Sequence, residues 1–413
     1  MSKEENRKNF SKYVSQNILG MIGFSCYVLA DSYFISIAKG ADGLTALNLV
    51  MPLYSIIFSI GEMIGVGSAI RYAISKIKKD ADADDYFWNA IIWCIMSSMI
   101  FVFAGIFFSS DIMRVLGADE HIVAVGNNYT KIFMCFAPMF MCNYVTNAFV
   151  RNDGAPGIAM SATLFSSLFN IVFDYILMFP MNLGMEGAAL ATALSPIIGM
   201  GICSIHFFSK KSSVRLVVCK PSVRKLVAGC QLGVSAFVGE MSSAVITLAF
   251  NFVILKLTGN VGVAAYGVVA NIAIVTTAVF NGVAQGSQPL ISSCFGRGDK
   301  DGCTQLKRMG YTTAFVLAAV MYSILFIFAE QFVAVFNSEG SEILRLYATE
   351  GVKLYFIGIF FAGINIVGGG AFSATEDAFK AAVVSVARGF VLILGAVFVM
   401  SALFGMTGVW LAY

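Results

Sequence analysis

Charge is what this chain has least of. Only 12% of its 413 residues are Asp, Glu, Lys or Arg, about half the share found in average soluble domains. So few charges cannot cover a water-facing surface of this size. That excludes an ordinary soluble globule and fits a chain whose outer surface meets lipid. Histidine is nearly absent (His121 and His206 alone), and the nine cysteines form no C-x-x-C pair. A structural zinc site and a disulfide framework are thereby set aside. Cys26, Cys94, Cys135, Cys142 and Cys203 sit inside apolar runs and read as small buried apolar residues. No cleavable signal peptide is expected: MSKEENRKNFSKYVSQ is polar and basic, and the apolar run after it is too long for an h-region. There is no phosphate-cradling G-x-x-x-x-G-K-[ST], no H-E-x-x-H and no G-x-S-x-G. Nucleotide-driven work and intramembrane enzyme chemistry therefore lack a motif. The net charge of +3 names no partner and gives no footprint for nucleic acid.

What the chain has instead is apolar runs. A membrane-crossing helix needs about 20 largely apolar residues. Such runs lie near 13–37, 46–70, 86–108, 124–149, 157–180 and 186–208, then, after the polar break KKSSVRLVVCKPSVRK, near 226–256, 262–286, 309–336, 346–371 and 382–404. These are eleven complete spans, with no room for a soluble domain between them. Lys and Arg set the orientation, because they favour the cytoplasmic loops. With the N-terminus inside, 21 of the 27 basic residues fall on the inner side, including Arg71, Lys76, Lys78, Lys79, Arg151, Arg297, Lys300, Lys307, Arg308, Lys380 and Arg388. The remainder are Lys39, Arg114, Lys131, Lys256, Arg345 and Lys353. A multi-pass plasma-membrane protein with a cytoplasmic N-terminus is expected.

The two halves resemble each other. At an offset of 219, Gly43, Ala46, Gly67, Ser68 and Asp80 meet Gly262, Ala265, Gly286, Ser287 and Asp299. At an offset of 221, LGMEGAALA (183–191) meets FGMTGVWLA (404–412). A repeat of six spans is even, so both halves point the same way and are related by an axis along the membrane normal. The expected fold is all-α and polytopic, with one bundle over 1–215 and a second over 216–413. After Ala191 the first half runs on through its sixth span, whereas after Ala412 only Tyr413 follows. A chain truncated at the start of a twelfth span is expected.

Four acids fall inside spans: Asp31, Glu62, Asp174 and Glu240. A charge in the hydrocarbon layer costs on the order of 3 kcal/mol by insertion scales, so it is kept where it faces a cavity, binds an ion or carries a proton. Asp31 and Asp174 each lie about six residues from the outer end of an outward-running span, hence at similar depth. Asn170 stands one turn before Asp174, on the same face. Two carboxylates and an amide carbonyl suit a hard cation or proton exchange. A structural polar network between helices is the competing reading. Glu240 lies mid-span among small residues (GVSAFVGEMSSA), where a cavity has room. A substrate or coupling role and a structural role both remain open for it. Glu62, in GEMIGVG, is nine residues from Arg71, roughly 13 Å along the axis and too far for direct pairing. It stands as a second candidate for the cavity lining. The 37 Phe and 20 Met mostly face lipid or neighbouring helices, though such side chains also line adaptable binding surfaces. Gly61, Gly65 and Gly368–Gly370 mark close packing or bending.

At this point the residues resemble a known family. Asn147-Ala-Phe-Val-Arg-Asn-Asp-Gly, then Asn170-Ile-Val-Phe-Asp174, then Gly184-Met-Glu-Gly-Ala-Ala-Leu-Ala-Thr192 is similar, in order and spacing, to the span four to six region of multidrug and toxic compound extrusion (MATE) transporters. Tyr27 and Asp31 fit the family's first span. The resemblance implies a sodium or proton site made by Asp31, Asn170, Asp174 and Thr192, with the Ala188 carbonyl beside it. It also implies that Tyr27, Tyr129 and Asn147 neighbour this network. Glu240 matches a seventh-span acid of another branch, but that branch's span-ten acid is missing from YFIGIFFAGINIVGGGAF. Glu240 is then left to meet cationic substrate. The implied activity is rocker-switch antiport: sodium or protons neutralise Asp31 and Asp174, the first span shifts, and a lipophilic cation leaves outward. The expected partners are a small-molecule substrate and the bilayer, the expected state a monomer, and no cofactor is needed beyond an ion gradient.

Three rivals stand against this. A lipid-linked oligosaccharide flippase of the same superfamily carries an anionic pyrophosphate and wants Arg or Lys in its cavity, whereas the mid-span charges here are acids. An intramembrane enzyme wants catalytic motifs that are not present. A non-transporting receptor or decayed copy is the third.

Overall fold

The computed structural model describes residues 3–336 and 341–413. Helices dominate, and there is no strand among the described residues. Among the described residues, ten continuous helices are long and apolar enough to cross a bilayer, or up to eleven if the one bent pair counts as a single span. They are α1 (Lys3–Gly40), α2 (Asp42–Lys78), α3 (Asp85–Val115), the bent α4 (Glu120–Cys135 with Ala137–Asn152), α5 (Pro156–Met178), α6 (Gly184–Phe207), α7 (Val223–Gly259), α8 (Val261–Gly296), α9 (Lys300–Ile327), α10 (Glu342–Ala374) and α11 (Ala378–Leu411). The polytopic helical architecture expected from the sequence is the one observed.

Local chemistry sets where these helices start. Asp119, Ser222, Asp299, Ser341 and Asp377 each accept a hydrogen bond from a first-turn backbone N–H, which satisfies a donor that the helix cannot. The 46° bend in α4 falls at Phe136. Pro138, two residues on, brings no N–H to the ladder and crowds the preceding turn.

Backbone geometry carries the internal repeat further than side-chain identity does. Gly40 and Gly259, which turn α1 into α2 and α7 into α8, take φ of 58° and 67°. Lys79 and Gly298 take 60° and 73° at the same offset, and Gly184 and Gly405 take 52° and 60°. Positive φ is a conformation that glycine adopts freely and other residues rarely, and its recurrence at three paired positions supports the repeat.

Two buried apolar clusters result. One is built mainly from α1 to α6 around Ile57, Tyr72, Tyr129, Phe133 and Phe149. The other is built from α7 to α11 around Phe250, Phe280, Phe356 and Trp410. Phe10 and Val14, in the first turns of α1, belong to the second cluster. The N-terminal segment is thus helical from Lys3 and reaches across to the other half. Outward faces are apolar: Met96, Ile100, Phe103 and Phe107 form an exposed stripe at helical spacing on α3, as lipid contact requires.

The halves are joined on the side that carries the N-terminus. There Asn6 Nδ2 donates to Gln305 Oε1 at 3.2 Å, Arg71 Nε donates to the Ala228 carbonyl at 3.2 Å, and Arg71 pairs with Glu376. Lys225 pairs with Asp85 and lies 3.6 Å from Asp82. Glycine lets the backbones meet there. A Cβ on Gly67 would come within 2.0 Å of the Gly229 carbonyl oxygen, and one on Gly286 within 2.7 Å of Val14 Cα. Gly67 and Gly286 are repeat equivalents. The α2–α7 contact is therefore repeated as α8–α1 by the twofold relation between halves.

Candidate functional site

Asp31 and Asp174 project into the interior of the first half. Asp31 is 6% exposed and Asp174 0%. They lie close enough for the charge of one to act on the other. Helix lengths differ from the sequence expectation, since α1 continues to Gly40 and α5 stops at Met178, yet the two carboxyls remain within electrostatic reach of each other. With its amide turned to suit both neighbours, Asn170 donates from Nδ2 to Asp174 Oδ2 at 3.1 Å. Its oxygen then accepts from Thr192 Oγ1 at 3.2 Å. Asn170 and Thr192 are buried, and Ala188 lies fully buried one turn before Thr192 on α6. One oxygen of each acid, Asp31 Oδ1 and Asp174 Oδ1, is buried with no hydrogen-bond partner. Two bare carboxylate oxygens beside an amide and a hydroxyl are hard donors short of a positive partner. A proton or a small hard cation would satisfy them.

Aromatic hydroxyls surround this pair. Tyr129 is fully buried and shares a hydrogen bond with Tyr54, whose ring stacks on Phe133 at 3.6 Å. Both phenols feel the charges of Asp31 and Asp174, and Tyr27 feels those of Asp31, Asp174 and Glu240. Tyr27 is thus within electrostatic reach of both the aspartate pair and Glu240 on α7. Tyr54 was not singled out in the sequence; its place on an α2 otherwise read for Glu62 gave no signal.

Asn147 is a correction. Its Nδ2 donates to the Ala159 carbonyl at 3.2 Å and to Thr163 Oγ1 at 3.1 Å. Those partners sit in the first turns of α5, eleven residues or more before Asp174, roughly 16 Å along the axis. Asn147 therefore ties α4 to α5 and does not join the aspartate network. Antiparallel neighbours place residues near a shared turn together, and residues far from it apart.

Glu62 on α2 and Glu240 on α7 face each other between the halves, within electrostatic reach, with Tyr144 near both. Glu62 accepts from Gln285 Nε2 at 3.4 Å. Gln285 Oε1 in turn accepts from Arg151 Nη1 at 2.7 Å. Arg151 is another correction: it was counted among loop charges, yet it is 4% exposed in the last turn of α4. Counting Lys and Arg by segment cannot separate a loop cation from one on the inward face of a final turn. Its i, i+4 spacing from Asn147 was the available signal. The expectation of an all-acidic cleft is revised accordingly.

With this geometry in view, comparison with known proteins becomes decisive. The MatE family model matches residues 17–176 and 236–408. The chain belongs to the MATE family. Among curated MATE relatives, the multidrug export protein MepA of Staphylococcus saprophyticus is 26% identical over 400 residues, covering 95% of this chain and 86% of MepA. MepA of Staphylococcus aureus MRSA252 is 28% identical over 404 residues with the same coverage. Among solved MATE structures, an outward-facing multidrug resistance transporter of the MOP superfamily superposes with a TM-score of 0.92 at 20% identity, over 98% of this chain and 91% of that one. A MOP superfamily transporter from Pyrococcus furiosus, described as having a binding pocket of reverse polarity, superposes at 0.90 and 20% identity, with the same coverage. At that identity these structures establish the MATE fold alone.

Proposed function

We propose that this chain is an ion-coupled exporter of lipophilic, cationic small molecules, working by alternating access between its two halves. The observation that carries the reading is the pair of buried, unpartnered carboxylate oxygens on Asp31 and Asp174, within a family whose curated relatives here are multidrug exporters. Asp31 and Asp174 take up the driving sodium ion or proton. Asn170 and Thr192 hold Asp174 in place for it. Tyr27 is within electrostatic reach of both the aspartate pair and the cleft between the halves, where Glu62 and Glu240 attract the substrate's positive charge. The contacts that close the N-terminal side favour a state accessible from the opposite face. With the N-terminus cytoplasmic, as the basic loops suggest, that face is the cell exterior. Neutralising the aspartate pair removes the repulsion between two buried anions and lets α1 shift against α5.

The test is ethidium accumulation in cells lacking their own pumps and expressing this chain, under sodium-only and proton-only gradients. Accumulation is expected to fall several-fold under one gradient and to return to control when that gradient is collapsed. Accumulation equal to control under both gradients refutes the reading.

A further inference from the structure

Arg151 is a buried cation where the two halves meet, and the aspartate mechanism makes no use of it. It reaches the second half by its bond to Gln285 at 2.7 Å, and Gln285 hands the contact on to Glu62. Its Nε finds no partner, so the guanidinium is only partly satisfied by hydrogen bonds. Burying a full positive charge this way is costly unless an anion balances it. The charges that face it are the carboxylates of Glu62 and, beyond it, Glu240. With both carboxylates ionised, two acids and one base leave the cleft a single negative charge. Asp31 and Asp174 lie in the interior of the first half and are assigned to the driving ion.

We propose that Arg151 is a resident counter-cation that sets the charge of the substrate: it neutralises one of the two cleft carboxylates from within, so that the Glu62–Glu240 pair accepts a ligand bearing one positive charge in preference to two. This rests on the reading of the cleft as a cation site. Gln285 is the positioning residue: it holds the guanidinium toward Glu62 at a distance that spares a direct ion pair, leaving Glu62 available. Specificity here is a charge count, enforced by the like charge a dication would meet.

The experiment measures the affinities of the purified full chain for tetraphenylphosphonium, a monocation, and dequalinium, a dication. In Arg151→Gln the dication should gain on the monocation by about tenfold, roughly 1.4 kcal/mol. In Glu62→Gln the cleft becomes neutral, and monocation affinity should fall by about tenfold. The double variant restores one net negative charge, so monocation affinity should return to within about threefold of the parent. An unchanged affinity ratio in Arg151→Gln, or a double variant that binds the monocation as weakly as Glu62→Gln alone, overturns the proposal. Should Arg151→Gln not fold, Glu62→Gln decides alone: undiminished monocation binding overturns it. A parent chain that binds neither cation sinks the exporter reading itself. A parent that binds the monocation but shows an unmoved ratio sinks only the role of Arg151.

Discussion

At the scale of the residue, the account depends on oxygen atoms without partners. Asp174 uses one carboxylate oxygen on Asn170 and leaves the other bare, and Asp31 has a bare oxygen beside it. Asn170 is a positioning residue, since it joins Asp174 on α5 to Thr192 on α6. Replacing Asn170 by Ala should weaken ion binding by about tenfold, the effect of losing one charge-assisted hydrogen bond. The thermal stability of the purified protein, titrated with sodium and with pH, reads this as a shifted midpoint; an unmoved midpoint would make Asn170 a bystander. Asp31, Asn170 and Asp174 were legible in the sequence because acids inside apolar runs are conspicuous and one-turn spacing fixes a face. Asn147 misled because its place in a stretch similar to the family's said nothing of depth. Arg151 was hidden because its neighbours, Asn152-Asp153-Gly154, read as loop.

At the scale of the element, close approach governs. Gly67 on α2 and Gly286 on α8 occupy equivalent positions in the two crossings that hold the N-terminal side shut, and any Cβ there meets backbone. Ala at either position should cost about 1–3 kcal/mol of stability, the usual penalty of overpacking, seen as a lower melting temperature. Export should slow in parallel if these crossings must close in every cycle; unaltered melting in both variants would contradict the packing described. The segment linking the halves is held at its start by Asp153 and further on by Asp84 and Asn89, which accept from the Arg215 and Ser222 backbones. Asp153 accepts from His206 Nε2 at 2.8 Å, from Ser212 Oγ at 3.2 Å and from the Ser213 backbone at 2.9 Å, with Tyr72 at 3.1 Å. None of this was visible beforehand. Helix count, order and the repeat follow from hydropathy and identity, but crossings depend on which glycines face one another, and periodicity does not report that. The bend in α4 has its own sequence signal in Pro138.

At the scale of the whole molecule, two halves related by a twofold axis touch firmly on one side. Alternating access requires that side to part. Cysteines introduced at Asn6 and Gln305, whose side-chain tips meet at 3.2 Å, should be bridged by a short bis-methanethiosulfonate spacer, which relaxes the Cα separation that a direct disulfide demands, and the bridge should arrest export, with recovery on reduction. Export that continues at full rate in the cross-linked protein would show that the halves need not separate there. The larger claim is that the ion site in one half drives movement of both, because an ion can shift an equilibrium only by its differential affinity for the two states. The most direct measurement uses purified protein in liposomes and follows ethidium leaving the lumen when a sodium or pH gradient is imposed. The account predicts gradient-driven movement by the parent chain and none above leak for Asp31→Asn or Asp174→Asn. Gradient-driven movement of undiminished rate in either variant would contradict it.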